Sequence, residues 1–384
     1  MVLAAFAAAW MTAAPAALSC PPASWPQFGR TAARAGSGTR AAGLDRSNVR
    51  RLRRAWSASI SAGASGNQSG LDNSPVLACG VVYAASHDGH AYAFAAATGR
   101  RLWRTTSGPG ALGFWGTPAV AGGALYATGG DGALYAFSAK TGHLLWRTAG
   151  SRLKGGARPA TLVVGESVYL MAPANELTAI DARSGAVRWV TMLGSSSFLS
   201  APSAAGGLVY VGADASLFAV DARTGTQLWT AATGAEVWST PTVVAGVVYV
   251  GSSDHDVYAL DAASGAQIWS APTGDRVYAT APVVAGGTVF AGSLDDRLHA
   301  LDAATGAERW TFSTGADVTG SPAVASGVVF IGSQDGHLDA LDTRSGALIW
   351  SDDVGAGIGS SPALGTRSVY IATDNLVIAY RVGR

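Results

Sequence analysis

The sequence predicts an all-β fold, an eight-bladed β-propeller of four-stranded antiparallel blades whose ring is closed by an N-terminal strand. Three observations predict it. A nine-residue pattern, Asp-x-x-Ser/Thr-Gly-x-x-x-Trp, recurs at steps of 40 to 43 residues, a proline begins each of eight strand-like runs, and Gly-containing turn pairs separate the runs. A repeat of this length that carries several short strands is typical of a propeller.

Each repeat divides into four predicted strands. The first strand follows a proline, whose missing N–H is not needed at a strand start. The second is a β-branched and aromatic run such as 247–252, the third alternates as in 257–261, and the fourth carries the motif tryptophan. Asp-Gly pairs between the second and third strands favour tight hairpin turns. The leading prolines are Pro75, Pro118, Pro159, Pro202, Pro241, Pro282, Pro322 and Pro362.

The motif tryptophans are predicted to dock each blade onto the next. In the motif, the Asp caps the turn between the third and fourth strands, the Gly closes it, and the indole packs against the neighbouring blade. A buried indole N–H is expected to donate to a backbone carbonyl. The predicted docking residues are Trp56, Trp103, Trp146, Trp189, Trp229, Trp269, Trp310 and Trp350.

Counting the strands predicts how the ring closes. Eight sets of first, second and third strands are followed by only seven motif strands, so residues 53–60 are expected to complete the last blade at 362–381. Closure of this kind removes free sheet edges. The predicted organisation is an N-terminal signal at 1–20, a basic extended lead-in at 21–52 and one propeller at 53–384. Seven blades is the alternative.

The composition and the first residues indicate an exported protein. The chain has 384 residues, a formal charge of +1 and only 13% charged residues, which argues against a nucleic-acid partner. Residues 1–19 are apolar and predict a secretory signal, with a membrane anchor as the alternative that Pro15 disfavours. Cys20 is a candidate for lipidation because 18–20 resembles a bacterial lipobox. The alternatives are a free thiol or a disulfide with Cys79. We expect a monomer that contacts membrane only through such a lipid.

The docking motif and the segment 25–36 resemble the pyrroloquinoline-quinone (PQQ) propeller family over residues 22–384. One branch of that family contains dehydrogenases that hold PQQ and Ca²⁺ at the wide end of the funnel and oxidise alcohols or sugars. For the alcohol-oxidising members, the resemblance implies a quinone stacked between a Trp and a disulfide of adjacent cysteines, with a Glu and an Asn holding the metal and an Asp acting as base. The other branch has no cofactor and includes the barrel-assembly lipoprotein BamB. This chain has no Cys-Cys pair and nearly uniform repeats, which favours the second branch, so no catalytic or cofactor-binding residue is carried over.

Segments just before the first strands are predicted to line one mouth of the channel. They differ between repeats far more than the strands do, and they carry aromatics outside the motif, among them Phe114. A mixed polar and aromatic pocket there suits a small ligand, a sugar, a peptide or a partner protein. The alternative is that these aromatics fill the channel. The candidate mouth residues are Asp72, Asn73, Trp115, Glu236, Trp238, Asp275, Arg276, Tyr278 and Asp317.

No motif in the sequence assigns a reaction. His87, His90 and His337 lie beside separate turns and do not make the converging set that a metal site needs, so no metal is predicted. Seven arginines between 34 and 54 are interpreted as a solvated lead-in, with contact to an acidic surface or lipid headgroups as the alternative. The predicted function is a non-catalytic scaffold in the cell envelope, and the alternative is a PQQ- and calcium-dependent dehydrogenase.

Overall fold

Eight antiparallel sheets follow one another along the chain in the computed structural model, which confirms the predicted fold class. The structure describes residues 24, 27, 29–31, 36–38, 43–60, 73–106, 113–148, 160–172, 175–194, 200–278 and 280–383. Within these residues no helix is both long and apolar enough to cross a membrane. The first strands contact one another around the ring, and the fourth strands form its outer edge.

The first half of the ring contains blades 1 to 4. Strand β1 (Ser37–Gly38) and a single 3-10 turn (Val49–Arg51) precede β2 (Leu52–Ser59). Blade 1 comprises β3 (Val76–Ala78), β4 (Val81–Ala85), β5 (His90–Ala95) and β6 (Arg101–Thr106). Blade 2 comprises β7 (Ala119–Ala121), β8 (Ala124–Thr128), β9 (Leu134–Ser138) and β10 (Leu144–Arg147). Blade 3 comprises β11 (Leu162–Val164), β12 (Ser167–Ala172), β13 (Glu176–Asp181) and β14 (Val187–Met192). Blade 4 comprises β15 (Ser203–Ala205), β16 (Leu208–Ala213), β17 (Ser216–Asp221) and β18 (Gln227–Ala232).

The second half contains blades 5 to 8. Blade 5 comprises β19 (Thr242–Val244), β20 (Val247–Gly251), β21 (Asp256–Asp261) and β22 (Gln267–Pro272). Blade 6 comprises β23 (Val283–Ala285), β24 (Thr288–Ser293), β25 (Arg297–Asp302) and β26 (Glu308–Ser313). Blade 7 comprises β27 (Ala323–Ala325), β28 (Val328–Gly332), β29 (His337–Asp342) and β30 (Leu348–Asp353). Blade 8 comprises β31 (Ala363–Gly365), β32 (Ser368–Ala372) and β33 (Leu376–Val382), and β2 is its fourth strand.

Strand β2 closes the ring, as the strand count predicts. It pairs antiparallel with β33 from Leu52 opposite Val382 to Ser59 opposite Leu376. Its Trp56 Nε1 donates to the Ala96 carbonyl of blade 1 at 3.0 Å, so the same strand joins blade 8 to blade 1. The closure therefore links the two ends of the repeat array without a covalent bond.

Two features of the strands differ from the sequence prediction. The lead-in contributes β1, which pairs parallel with β27 and gives blade 7 a fifth strand. A two-residue pair of this kind depends on the neighbouring blade and has no local sequence signal. In blade 3 the first strand begins at Leu162, directly after Thr161, instead of after a proline. Pro159 lies outside the described residues.

The apolar core lies between the blades. Among the buried residues that the structure describes, six clusters each combine side chains from two neighbouring blades, as where Val284 of blade 6 packs with Tyr249 and Val257 of blade 5, and one larger cluster joins blades 7, 8 and 1 with the lead-in. Strands in the middle of each blade are buried on both faces, so they consist of β-branched and aromatic residues with small alanines and glycines. Stability is therefore carried mainly by nearest-neighbour contacts around the ring.

One backbone carbonyl in each of six joints between adjacent blades accepts a hydrogen bond from a tryptophan and another from a tyrosine of the preceding blade. In the joint between blades 5 and 6, both Trp269 Nε1 and Tyr249 Oη donate to Ala303 O at 3.1 Å. The tyrosine belongs to the second strand, outside the predicted motif. Burial raises the pKa of Tyr83 and Tyr126 to about 12, which keeps these hydroxyls as donors. The accepting carbonyls of the six joints belong to Ala96, Ala139, Ala182, Ala222, Ala262 and Ala303.

The joint between blades 7 and 8 is built differently. Trp350 packs edge-on against Tyr380, with ring centroids 5.3 Å apart. Blade 8 takes its fourth strand from β2, so it lacks the continuous turn between third and fourth strands that supplies the carbonyl elsewhere. Asp352 links the parts instead, because its carboxylate accepts from Tyr380 Oη at 2.8 Å and from Arg54 Nε at 2.6 Å.

Cys79 occupies the turn between β3 and β4 with a φ of 49°, and it is disulfide-bonded. Blades 2 to 7 place Ala, Ser or Gly at this left-handed position. Cys20, the chain's other cysteine, lies outside the described residues. A thiol that is bonded to Cys79 cannot also carry a lipid, so lipidation and the disulfide are mutually exclusive alternatives for Cys20.

Substitution of a motif glycine is expected to destabilise the ring through the indole beneath it. Gly265 has a φ of 74°, and a Cβ there would lie 2.7 Å from the Trp229 ring. Gly246 has a φ of 81° with nothing within 4 Å of a Cβ, which makes it a matched control. We expect Gly246→Ala to lower the free energy of unfolding by about 1–2 kcal/mol. Gly265→Ala should cost roughly 1–3 kcal/mol more, since the indole must move. Urea unfolding measures both, and equal losses would contradict the docking role.

Candidate functional site

The candidate site is the mouth of the channel where the turns between second and third strands meet the segments that lead into each first strand. In blades 5 to 7 these lead segments lie against the turn of their own blade. Ser253 N donates to Glu236 O at 2.9 Å, Leu294 N to Arg276 O at 3.0 Å, and Gln334 N to Asp317 O at 3.0 Å. Backbone pairing therefore holds the variable segments rigidly, which suits a binding surface.

The lead segments alternate between a core residue and a mouth residue. The residue four before the proline is fully buried in blades 2, 5, 7 and 8, and Phe114 is one of these. Its ring packs edge-on to Tyr135 and Phe137, 5.6 and 5.9 Å between centroids, so the expectation that Phe114 faces the mouth is wrong. The residue directly after the buried position is half-buried. It is Trp115 in blade 2, Trp238 in blade 5 and Tyr278 in blade 6.

Two of these aromatics contact each other between blades 5 and 6. The ring centroids of Trp238 and Tyr278 lie 4.9 Å apart with a 41° angle between planes. Arg276 Cζ lies 6.0 Å from the Tyr278 centroid, at the outer limit of a cation–π contact. The Arg276 side chain is 52% exposed. Together they form a platform with an apolar face and a positive rim.

Carboxylates flank the platform on the blade 6 and blade 7 side. Asp275 Oδ1 lies 3.8 Å from Arg276 Nε and 3.7 Å from His255 Nε2. The pKa of Asp317 is raised, first by burial and then by the neighbouring carboxylates of Asp296 and Asp275, while Arg276 opposes the rise. The mouth at blades 5 to 7 therefore offers both positive and negative charges within a short span.

The other predicted mouth residues lie apart from this group. Asn73 Nδ2 donates to the carbonyls of Ala85 and Phe114, at 3.1 and 2.9 Å, so its amide is used to join blades 1 and 2. Trp115 packs on His87 with ring centroids 5.9 Å apart, also at blades 1 and 2. Glu236 is half-buried two residues before Trp238. Asp72 lies outside the described residues.

A recurring aspartate clamp supports the mouth, and no sequence motif had predicted it. Asp254, Asp295 and Asp335 each accept, through Oδ2, the backbone N–H of a glycine in the lead segment, at 2.5, 2.9 and 2.6 Å. Four residues after these aspartates, the third strands carry Tyr258 in blade 5, His299 in blade 6 and Asp339 in blade 7. The available signal was a Thr-Gly pair at 233–234, 273–274 and 314–315, about 20 residues before each aspartate.

Blade 7 carries the carboxyl of Asp339 where blade 5 carries Tyr258, and this predicts that the free energy of unfolding depends on pH. Asp339 is 5% exposed, and burial raises its pKa. A raised folded-state pKa contributes stability at acid pH that is lost as the pH rises through that pKa. Asp339→Asn is therefore expected to raise the free energy of unfolding at neutral pH, and the gain should vanish below the ordinary carboxyl pKa.

Asp302 is the control for this prediction, because its pKa is lowered where that of Asp339 is raised. Arg309 lowers its pKa to about 2, so the charged form stabilises the fold above the ordinary pKa and the effect is lost on acidification. Asp302→Asn should thus lower stability at neutral pH and converge with the wild type in acid. Urea midpoints across the pH range measure both, and parallel pH profiles for the two variants would contradict the assignment.

Below the mouth, small residues narrow the channel. Ser321 N donates to Ser361 Oγ and Ser361 N to Ser74 Oγ, both at 2.8 Å, and Ser74 N donates to Thr117 Oγ1 at 3.0 Å. These bonds run from blade to blade along blades 7, 8, 1 and 2. At the same level, Ala160, Ala201 and Ala281 of blades 3, 4 and 6 are buried in one cluster. The ring of hydroxyls and methyl groups therefore forms a floor beneath the mouth.

The described mouth residues do not fit the calcium–quinone centre that the family resemblance implies. Within the described part of the chain, no group of three His, Cys, Asp or Glu side chains could hold a metal. Cys79 lies in a turn between first and second strands, at the opposite end of the blades, so it cannot lie over a quinone at the mouth. The Trp238 and Tyr278 rings contact each other instead of leaving a slot for a third ring between them.

The fold and the repeated docking motif define a PQQ-like β-propeller. A family model described as "Outer membrane protein assembly factor BamB" matches residues 46–201, 193–276 and 253–384, and the chain belongs to that family. The predicted family resemblance is thereby confirmed. No curated protein matches the chain.

Solved structures of both branches share the fold. Quinohemoprotein alcohol dehydrogenase from Comamonas testosteroni is 16% identical with a TM-score of 0.77, covering 94% of this chain and 81% of its own. A europium-containing methanol dehydrogenase is 15% identical with a TM-score of 0.78, covering 94% and 98%. BamB from Moraxella catarrhalis is 19% identical with a TM-score of 0.68, covering 86% and 97%. Identities this low show the fold alone.

Proposed function

We propose that this chain is an exported, non-catalytic propeller that binds a protein partner or a ligand at its mouth and acts as a scaffold in the cell envelope. The observation that carries the proposal is the platform of Trp238, Tyr278 and Arg276 at the mouth. Half-exposed aromatics with an adjacent arginine are typical of protein-recognition surfaces. The family description, an outer membrane assembly factor, supports an envelope location and a protein partner.

A crosslinking experiment tests the partner. A photoreactive residue replaces Tyr278 at the platform or, as the control, Arg223 in an exposed turn on the opposite face. We expect a discrete crosslinked product with an envelope protein from position 278 only, and the product should disappear when Trp238→Ala and Arg276→Ala are added. Equal products from both positions, or none from 278, would count against a partner at the mouth.

A titration tests the competing enzyme hypothesis. The purified protein is titrated with PQQ, with and without Ca²⁺, while quenching of its 12 tryptophans is followed. The scaffold proposal expects no saturable quenching. Saturable, Ca²⁺-dependent quenching at about micromolar PQQ or below would replace it with a quinoprotein dehydrogenase, and oxidation of alcohols and sugars would then be assayed by dye reduction.

A further inference from the structure

A cavity of about 880 Å³ lies on the face opposite the mouth, between the lead-in and blades 6 and 7. Its walls are the turn at 45–47, turns between first and second strands, and the blade 7 turn at 343–344. The volume is in the range of small-molecule sites. Three arginines, Arg46, Arg309 and Arg344, line it together with one carboxylate, Asp45. The lining therefore carries an excess of positive charge.

Two of the arginines are held in place by equivalent motif aspartates of adjacent blades. In blade 6, Arg309 Nη2 donates to Asp302 Oδ2 at 2.6 Å and Nη1 to Thr288 Oγ1 at 2.8 Å. In blade 7 the outer strand has Ile349 at the position of Arg309, so the motif aspartate, Asp342, pairs with Arg46 of the lead-in instead. Its Nε lies 2.6 Å from Asp342 Oδ2 and 3.2 Å from Gly327 O.

Neither of these two aspartates is part of the cavity lining. They fix the two guanidinium groups through one ion pair each, and every guanidinium carries further N–H donors besides the one used in that pair. The lining carboxylate, Asp45, is used locally, because its Oδ1 accepts from Ser47 N, Ser47 Oγ and Asn48 N. Arg344 is exposed at the edge of the cavity, and it is its backbone N–H that donates a hydrogen bond to Asp342. Fixed guanidinium forks match carboxylate and phosphate oxygens.

Blade 3 contains an equivalent pair of an arginine and a motif aspartate, but this pair does not border the cavity. Arg188 Nη2 lies 2.6 Å from Asp181 Oδ2, and its side chain is 38% exposed, against 41% for Arg309. There Glu166 stands where blade 6 has Gly287, 3.7 Å from the arginine, and Arg188 does not line the cavity. In blades 6 and 7 the positions equivalent to Glu166 are Gly287 and Gly327, so this acidic side chain has no counterpart beside Arg309 or Arg46.

We propose that this cavity binds a small oxyanionic ligand, one that carries phosphate or carboxylate groups, through Arg46, Arg309 and Arg344. The site is independent of the mouth and of whatever the mouth binds. Arg46 comes from the lead-in, so the site exists only when this segment is docked on blade 7. Binding of the ligand is therefore coupled to that docking.

Isothermal titration at low salt tests the site, with inorganic phosphate and succinate as separate probes. We expect saturable binding of at least one probe by the wild type. Phosphate binding would indicate a phosphorylated ligand and succinate binding a carboxylate one. Arg344→Gln and Arg46→Gln should each weaken the bound probe by about tenfold or more, and Arg188→Gln should leave its affinity unchanged.

Urea unfolding of each variant confirms that it is folded, and Arg344→Gln serves if Arg46→Gln proves unstable. Absence of saturable binding to both probes would overturn the proposal. So would an affinity that Arg188→Gln lowers as much as Arg344→Gln, because the charge effect would then be general. Binding that all three variants retain would place the anion elsewhere and overturn it as well.

Discussion

A chain that begins at residue 61 is expected to lose cooperative folding, whereas one that begins at residue 43 keeps it. The longer deletion removes β2, its seven register positions along β33, and the Trp56 bond to blade 1. It also removes Arg54, which bonds Asp352 between blades 7 and 8. The loss is of the same order as the whole stability of a domain, at least about 5 kcal/mol.

The shorter deletion is the matched control for this experiment. Both chains lack Cys20 and β1, so any effect of the disulfide or of the fifth strand is common to them. The chain from residue 61 also exposes β33 as an unpaired edge, which favours aggregation. Size-exclusion chromatography and urea unfolding compare the two. A chain from residue 61 that unfolds cooperatively at the midpoint of the control would show that the ring does not need its closing strand.

Replacement of Trp269 by alanine is expected to lower the free energy of unfolding by about 3–5 kcal/mol. Trp269 is the most buried motif tryptophan among the described residues, at 8% exposed, and it packs on Tyr249 with ring centroids 5.9 Å apart. Its removal leaves a cavity against Gly306, which lies under the ring, and deprives the Ala303 carbonyl of one of its two donors.

The neighbouring residue provides the control for that substitution. Ile268 lies on the same strand, points outward and is 50% exposed, so Ile268→Ala should change stability by no more than about 0.5 kcal/mol. Trp269→Phe, which keeps ring packing but loses the N–H, should fall between the two and so separate packing from hydrogen bonding. Equal urea midpoints for the alanine variants at 268 and 269 would contradict docking through the indole.

Most of the architecture could be predicted because its signals are local and repeated. A turn pair, a leading proline and a motif tryptophan each lie within one repeat. Eight proline-led repeats with only seven motif strands therefore reveal the eight sheets and the missing outer strand. The paired tyrosine donors could not be predicted, because a tyrosine in a β-branched run already suits a strand. The parallel β1 pair and the position of Arg46 depend on contacts with residues nearly 300 positions away, which no local pattern encodes.

The candidate site could be predicted only in outline. The lead segments do form the mouth in blades 5 to 7. Which of their residues face the core depends on one buried position, which lies four residues before the proline in blades 2, 5 and 7 and five before it in blade 6. Phe114 occupies that position, as Val237 does in blade 5, and both fill the core between blades. An apolar side chain in a loop does not reveal whether it points to the core or to the solvent until the strands around it are placed.

The closing strand also makes the starting point of the ring arbitrary. Gly383 N donates to Arg51 O at 2.9 Å, so the two segments that meet in blade 8 are already neighbours in space. A short peptide joining them would turn the array into a continuous circle. New ends could then be opened at an exposed turn such as Ala245–Gly246, where nothing crowds the glycine. A circular permutant of that kind would keep all eight sheets, and blade 5 would replace blade 8 as the sheet assembled from both ends of the chain.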